Sequence, residues 1–288
     1  MDVRLAASNV HRQPARRLAG RASTRLLKLA STRIAPDELN GRALVFSPHP
    51  DDESLGCGGT ILKKVRSGAT VTLVHMTDGG ASTDLIAREE LVAMRKRECL
   101  SAARVLGVSD TIFLEYADGK LWDSISPATD RVAEIIKRLQ PAQVFVPYCR
   151  EPMKQAADHV AATKIVRAAL ERVGRSVTVW EYPIWAWLHW PWVRLRQPGP
   201  LMRTKHVLWN SGYLLFGARS LLEWRRRVEI ADVLDEKREA IAQHRSQTER
   251  IVAHPGYMTL GDVCHGEFLE WFMQDCEYFR VYDYPAGR

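Results

Sequence analysis

The chain has 288 residues, 46% of them hydrophobic and 26% charged, the balance of a soluble globular protein that buries a sizeable core. Its formal net charge of +7 resides in residues 1–33, which hold eight Lys/Arg and one acid, while the remainder holds 33 of each sign. No aromatic residue interleaves with that basic stretch, which excludes a nucleic-acid-binding face, and no apolar run reaches the roughly 18–20 residues of a membrane span.

Residues 1–35 read as a basic, flexible tail without the apolar core of a signal peptide, and 36–288 as a single domain. Five scattered cysteines lack any CxxC pair, which argues for a reducing, cytoplasmic setting. After a turn at Pro36–Gly41, apolar runs at 43–46, 71–76, 111–114, 144–146 and 177–180 alternate with helical segments near 60–67, 84–106, 127–140 and 156–173. That alternation predicts an α/β fold, a Rossmann-like three-layer sandwich with a mostly parallel central sheet. Seven of the nine tryptophans fall between Trp180 and Trp224. This marks a Trp/Arg-rich insertion at about 186–224, read as a lid, a partner interface or a membrane-surface element. Residues 223–247 read as a helix, and 268–272 and 279–282 as strands.

The first apolar run stops at Pro48, and within five residues the chain presents His49, Asp51, Asp52 and Glu53. Pro48 and Pro50 stiffen the backbone there. Adjacent carboxylates repel one another unless a cation or donors neutralise them. In open parallel sheets, ligands sit beyond the carboxyl ends of the strands. Asp78-Gly79, Asp118-Gly119 and the set Glu151, Asp158 and His159 follow later strands at that same end. His49, Asp52 and His159 would give three ligands and an open fourth position, the pattern of a catalytic zinc. Asp158 would orient an imidazole, and Asp51 would serve as general base. The segment Leu55–Thr60 offers an alternative, the glycine-rich turn of an S-adenosylmethionine-dependent methyltransferase.

The HPDDE segment with its Gly-rich continuation resembles the zinc-dependent N-deacetylases of the PIG-L, LmbE-like family. Thr77-Asp78-Gly79, Arg95 to Glu98, Asp118-Gly119, Asp158-His159 and His244-Arg245-Ser246-Gln247 resemble further motifs of that family. The resemblance implies one Zn2+ per chain on His49, Asp52 and His159. Water activated by the ion would attack the acetyl group of an N-acetylated amino sugar or glycoconjugate, with Asp51 as base. It makes Arg95 and Asp118, together with Glu53, the candidate sugar contacts. Many members carry a histidine where this chain has Ala156, which makes His244 the candidate catalytic substitute. It also keeps open a degenerate, non-catalytic member of the fold. The basic tail and the insertion are the candidate contacts for the inner face of a membrane.

Overall fold

Runs rich in Val, Leu and Phe take the centre of the sheet because they can be buried on both faces. The computed structural model of the protein describes residues 14–108, 110–189, 208 and 211–285. Its strands are β1 (Thr32–Arg33), β2 (Ala43–Ser47), β3 (Val71–Thr77), β4 (Asp110–Tyr116), β5 (Gln143–Pro147), β6 (Val177–Tyr182), β7 (Arg226–Glu229) and β8 (Cys276–Tyr284). Its α-helices are α1 (Pro14–Ala30), α2 (Asp52–Arg66), α3 (Arg88–Val105), α4 (Ile125–Leu139), α5 (Met153–Val173), α6 (Ala218–Glu223), α7 (Leu234–Gln243), α8 (Arg245–Thr248) and α9 (Glu267–Trp271).

The strands are ordered β1-β7-β8-β6-β5-β2-β3-β4. β2 to β6 are parallel, and β8 runs antiparallel to β6 and β7. The chain winds outward from β2 through β3 to β4, then returns to β5 on the other side of β2. The switch point therefore lies between the carboxyl ends of β2 and β5, where the topology leaves a crevice. Val45, Leu73, Phe145 and Trp180 face one core with Leu55 and Ile61 of α2. Leu44, Phe46, Val74, Val144 and Val146 face the other, with Ile136 of α4 and Ile165 of α5. Two cores around one mostly parallel sheet make the expected α/β sandwich.

Several elements depart from the sequence reading. The glycine-rich segment is no loop: it lies inside α2, which kinks at Cys57 (φ −145°). A Cβ on Gly56 would stand 2.3 Å from the Tyr182 ring, and one on Gly59 2.7 Å from Ile230. These glycines serve helix packing, and the methyltransferase alternative loses its cofactor turn. Beyond the kink, the Glu277 carboxylate accepts hydrogen bonds from the Gly59 and Thr60 amides, both at 2.8 Å. Such a partner satisfies amides that a restarted helix leaves unpaired.

Residues 268–272 belong largely to α9 rather than to a strand, because an uninterrupted apolar run has no period to separate the two. The reverse error occurs at β7, where Arg226 and Arg227 disguise a short strand. The flexible tail is also corrected in part. Residues 14–30 form α1, which buries Gly20, Ser23 and Leu27 at helical spacing. Most of the 186–224 insertion, residues 190–207 with 209 and 210, lies outside the described residues, as do residues 1–13 of the tail.

Candidate active site

β2 ends in Ser47, and the next four residues turn sharply into α2. Asp51 sits in that turn at φ 129°, a strained conformation for a side chain with a Cβ. Its neighbours hold it there. Arg95 of α3 donates to the Pro50 carbonyl at 2.6 Å and the Gly79 carbonyl at 2.9 Å, and its Nη2 lies 3.5 Å from the Asp51 carboxylate. The Asp51 amide points at Glu53 Oε2, 3.3 Å away.

The expected ligands converge. His49 Nδ1, Asp52 Oδ2 and His159 Nε2 are mutually 3.3 Å apart. A tetrahedral ion with ligands at about 2.0–2.1 Å spaces them by about 3.3 Å, so this triangle has the size of one face of a zinc polyhedron. The other ring nitrogen of His49 lies 3.2 Å from Asp118 and 3.4 Å from Asp158, the carboxylate support a metal-binding imidazole uses. His159 lacks that support, since its buried Nδ1 finds no partner among the described residues. Asp158 also accepts from the Gly119 and Leu121 amides at 2.7 and 3.1 Å. It thereby ties the loop after β4 to the start of α5.

The electrostatics favour a cation. Burial works against a proton on His49, but Asp118, Asp158 and Asp52 outweigh it and hold the imidazole well above its ordinary range. Burial likewise opposes ionisation of Asp52, yet His159 and His49 keep its carboxyl far below normal. Asp118 is held at about 2, with burial opposing and His49 lowering it. Asp51 behaves differently. Burial pushes it up to about 7, Arg95 pulls it down, and the like charge of Asp52 adds to the rise. Acids in excess of bases around three well-spaced donors suit a divalent ion.

A cavity of 260 Å³ opens onto this group, lined by His49, Asp51, Asp52, Arg95 and Asp118 on its polar side. The apolar part of the lining is built by Trp185 and Phe268 with Met258, Leu260 and Val263. The Trp185 and Phe268 rings stack with centroids 5.2 Å apart. Buried Glu151 fixes this wall by accepting from the Ile184 and Ala186 amides at 2.6 and 2.7 Å. The sequence reading placed Glu151 only among the polar residues after the fourth strand. The wall escaped it, because its residues look like ordinary core.

Three expected roles change. Glu53 is fully buried and does not line the cavity. It accepts from Ser47 at 2.9 Å and Ser54 at 2.7 Å and pairs with His244 at 3.2 Å, so it supports the turn from outside the cavity where a sugar contact was expected. His244 is buried beneath the same turn, its Nε2 taken by Glu53 and Ser54. It does not line the cavity, where a substitute for the histidine missing at Ala156 was expected; α5 kinks at Ala156 (φ −142°). From the same motif it is Gln247 that reaches the cavity. Glu98 holds this segment in place by accepting from the Ser246 amide and hydroxyl at 2.8 and 2.7 Å. Arg95 does line the cavity, but its guanidinium is committed to the Pro50 turn.

Residues 44–170 match the sequence profile of a family described as PIG-L: GlcNAc-PI de-N-acetylase. The chain resembles the PIG-L family over this segment, which is somewhat under half of its length. It is 25% identical over 215 residues to a Bacillus cereus protein named "Probable N-acetyl-alpha-D-glucosaminyl L-malate deacetylase 2", covering 73% of this chain and 84% of that one. It is 31% identical over 120 residues to a diacetylchitobiose deacetylase of Thermococcus kodakarensis, covering 41% of this chain and 45% of the relative, less than half its length. Among solved structures, the N,N'-diacetylchitobiose deacetylase of Pyrococcus horikoshii superposes with a TM-score of 0.59 at 22% identity, over 96% of this chain and 95% of that one. That likeness speaks for the fold, and the His49–Asp52–His159 triangle falls within the family segment.

Proposed function

We propose that this protein is a zinc-dependent N-deacetylase of the PIG-L type that removes acetate from an N-acetylated amino sugar or glycoconjugate. The single observation carrying the reading is the 3.3 Å triangle of His49, Asp52 and His159 beside a carboxylate, Asp51, that faces the same cavity. The deacetylase names of the relatives support the substrate class.

When bound, the ion supplies Lewis-acid polarisation of the acetyl carbonyl and lowers the pKa of water. Asp51 takes the proton of the attacking water and passes it to the departing nitrogen. The C–O bond forms, the C–N bond breaks, and acetate and free amine leave. Arg95 keeps Asp51 aimed, while Asp118 and Asp158 fix the His49 ring. Trp185 offers an aromatic face against which the apolar side of a pyranose can pack, and Gln247 and Thr259 offer hydroxyl partners at the rim.

The test combines metal analysis of the purified chain with acetate release across a panel of N-acetylated sugars. About one zinc per chain and turnover that chelation abolishes and zinc restores are expected. Asp51→Asn should release no acetate while retaining its metal. A zinc-loaded chain inert toward the whole panel would favour a non-catalytic member of the fold.

A further inference from the structure

We infer that α1, with the neighbouring α6 segment, is a docking surface for an anionic membrane. α1 presents two unlike faces. Gly20, Ser23 and Leu27 turn inward, and Leu27 joins the core at 1% exposure. On the far side, Leu18, Ala22, Leu26 and Leu29 fall within about 80° of helical arc. The three leucines are 70%, 52% and 76% exposed. Helices of globular proteins bury their leucines, and this one instead points most of its leucines at solvent.

The exposure is concentrated. Of the ten exposed large hydrophobic residues among those described, seven lie in α1 or between 208 and 222: Leu18, Leu26, Leu29, Leu208, Leu215, Phe216 and Leu222. α6 packs against α1, so the two segments form neighbouring parts of one surface. Exposed apolar side chains concentrated in two neighbouring segments mark an interaction site.

Charge selects the partner. The α1 segment contains Arg16, Arg17, Arg21, Arg25 and Lys28 and no acid. Arg21 and Arg25 are exposed alongside the leucine stripe, whereas Lys28 is engaged by Asp275. Leucines on one face flanked by arginines are the composition of a helix that lies in the lipid interface, with its apolar side among acyl chains and its cations at anionic headgroups. No helix among the described residues is long and apolar enough to cross a membrane, so the contact is peripheral. Glu223 at the end of α6 binds Tyr148 and Arg150, which directly follow β5. The surface therefore lies toward the carboxyl end of the sheet, the end that also holds the candidate active site.

The full-length chain should co-sediment with vesicles of phosphatidylcholine mixed with phosphatidylglycerol, and weakly with phosphatidylcholine alone. High salt should release it. Arg21→Glu/Arg25→Glu should weaken partitioning roughly thirtyfold or more. Leu18→Ser/Leu26→Ser/Leu29→Ser should do the same. Because all these positions are exposed, thermal melting and acetate release from a soluble sugar should match the unsubstituted chain. Absence of vesicle binding by the unsubstituted chain overturns the proposal. So does equal binding to both vesicle types, or a dimer in light scattering that the leucine variant dissociates.

Discussion

Arg95 holds both the carbonyl that precedes Asp51 and the Asp51 carboxylate itself, with Nη2 at 2.6 Å from Pro50 O and 3.5 Å from Asp51 Oδ2. One buried guanidinium thus supports a strained backbone and the group it carries. Arg95→Met should reduce kcat on the order of 10²-fold, with zinc content preserved. Arg95→Lys should recover little, because an ammonium cannot span the carbonyls of Pro50 and Gly79 as a planar fork does. Turnover near the original rate in Arg95→Met would remove this residue from the positioning of Asp51.

Asp158 supports His49 from outside the ligand triangle. Asp158→Asn should weaken zinc affinity by roughly 10–100-fold, the usual effect of losing such a partner. Competition with a chelator of known affinity measures this directly. The loop at Gly119–Leu121 loses part of its anchoring at the same time, so proteolysis there should accelerate.

The apolar wall should matter to binding more than to chemistry. Trp185→Ala should raise KM by roughly tenfold with a smaller change in kcat, and steady-state kinetics on the best sugar of the panel would check it. A fall confined to kcat would place Trp185 with the reacting groups instead.

Glu277 is buried and binds Gly59 and Thr60 just beyond the kink of α2 and, from α7, the Lys237 ammonium at 2.7 Å. Glu277→Ala leaves that ammonium only the Leu55 carbonyl and strands two backbone amides, and should cost about 3–5 kcal/mol of stability. Chemical denaturation reads the loss. Glu277→Gln should cost less, because it keeps an acceptor for the amides.

Lys64 gives a pH signature. Burial lowers its ammonium from 10.5 to about 8. Below about pH 8 both the folded and the unfolded chain carry this proton. Between about 8 and 10.5 the unfolded chain holds it and the folded chain does not, so the stability gained through this residue rises with pH in that window. Relative to Lys64→Met, the unsubstituted chain should gain a few kcal/mol at most, measured by denaturant unfolding at several pH values. A flat difference would mean that Leu39 O, Gly41 O and Gln143 Oε1, its acceptors, keep the group charged throughout.

Local pattern determined much of this protein. The apolar runs from 43 to 180 became the parallel strands, because burial on both faces demands β-branched and aliphatic residues in short stretches. The convergence of the His49–Asp52 turn and the Asp158-His159 pair was readable from residue type and from their position after strands. Tertiary structure alone decided which polar residue does what. Glu53 and His244 went beneath the turn, Arg95 was committed to backbone carbonyls, and Gln247 took the place at the cavity expected of His244. The Trp185–Phe268 wall assembled from segments more than eighty residues apart. Those outcomes depend on how short irregular segments are rotated, and buried carboxylates set that rotation by capturing distant amides: Glu151 at 184 and 186, Glu98 at 246, Glu277 at 59 and 60. Such long-range captures leave no periodic trace in the residues they join.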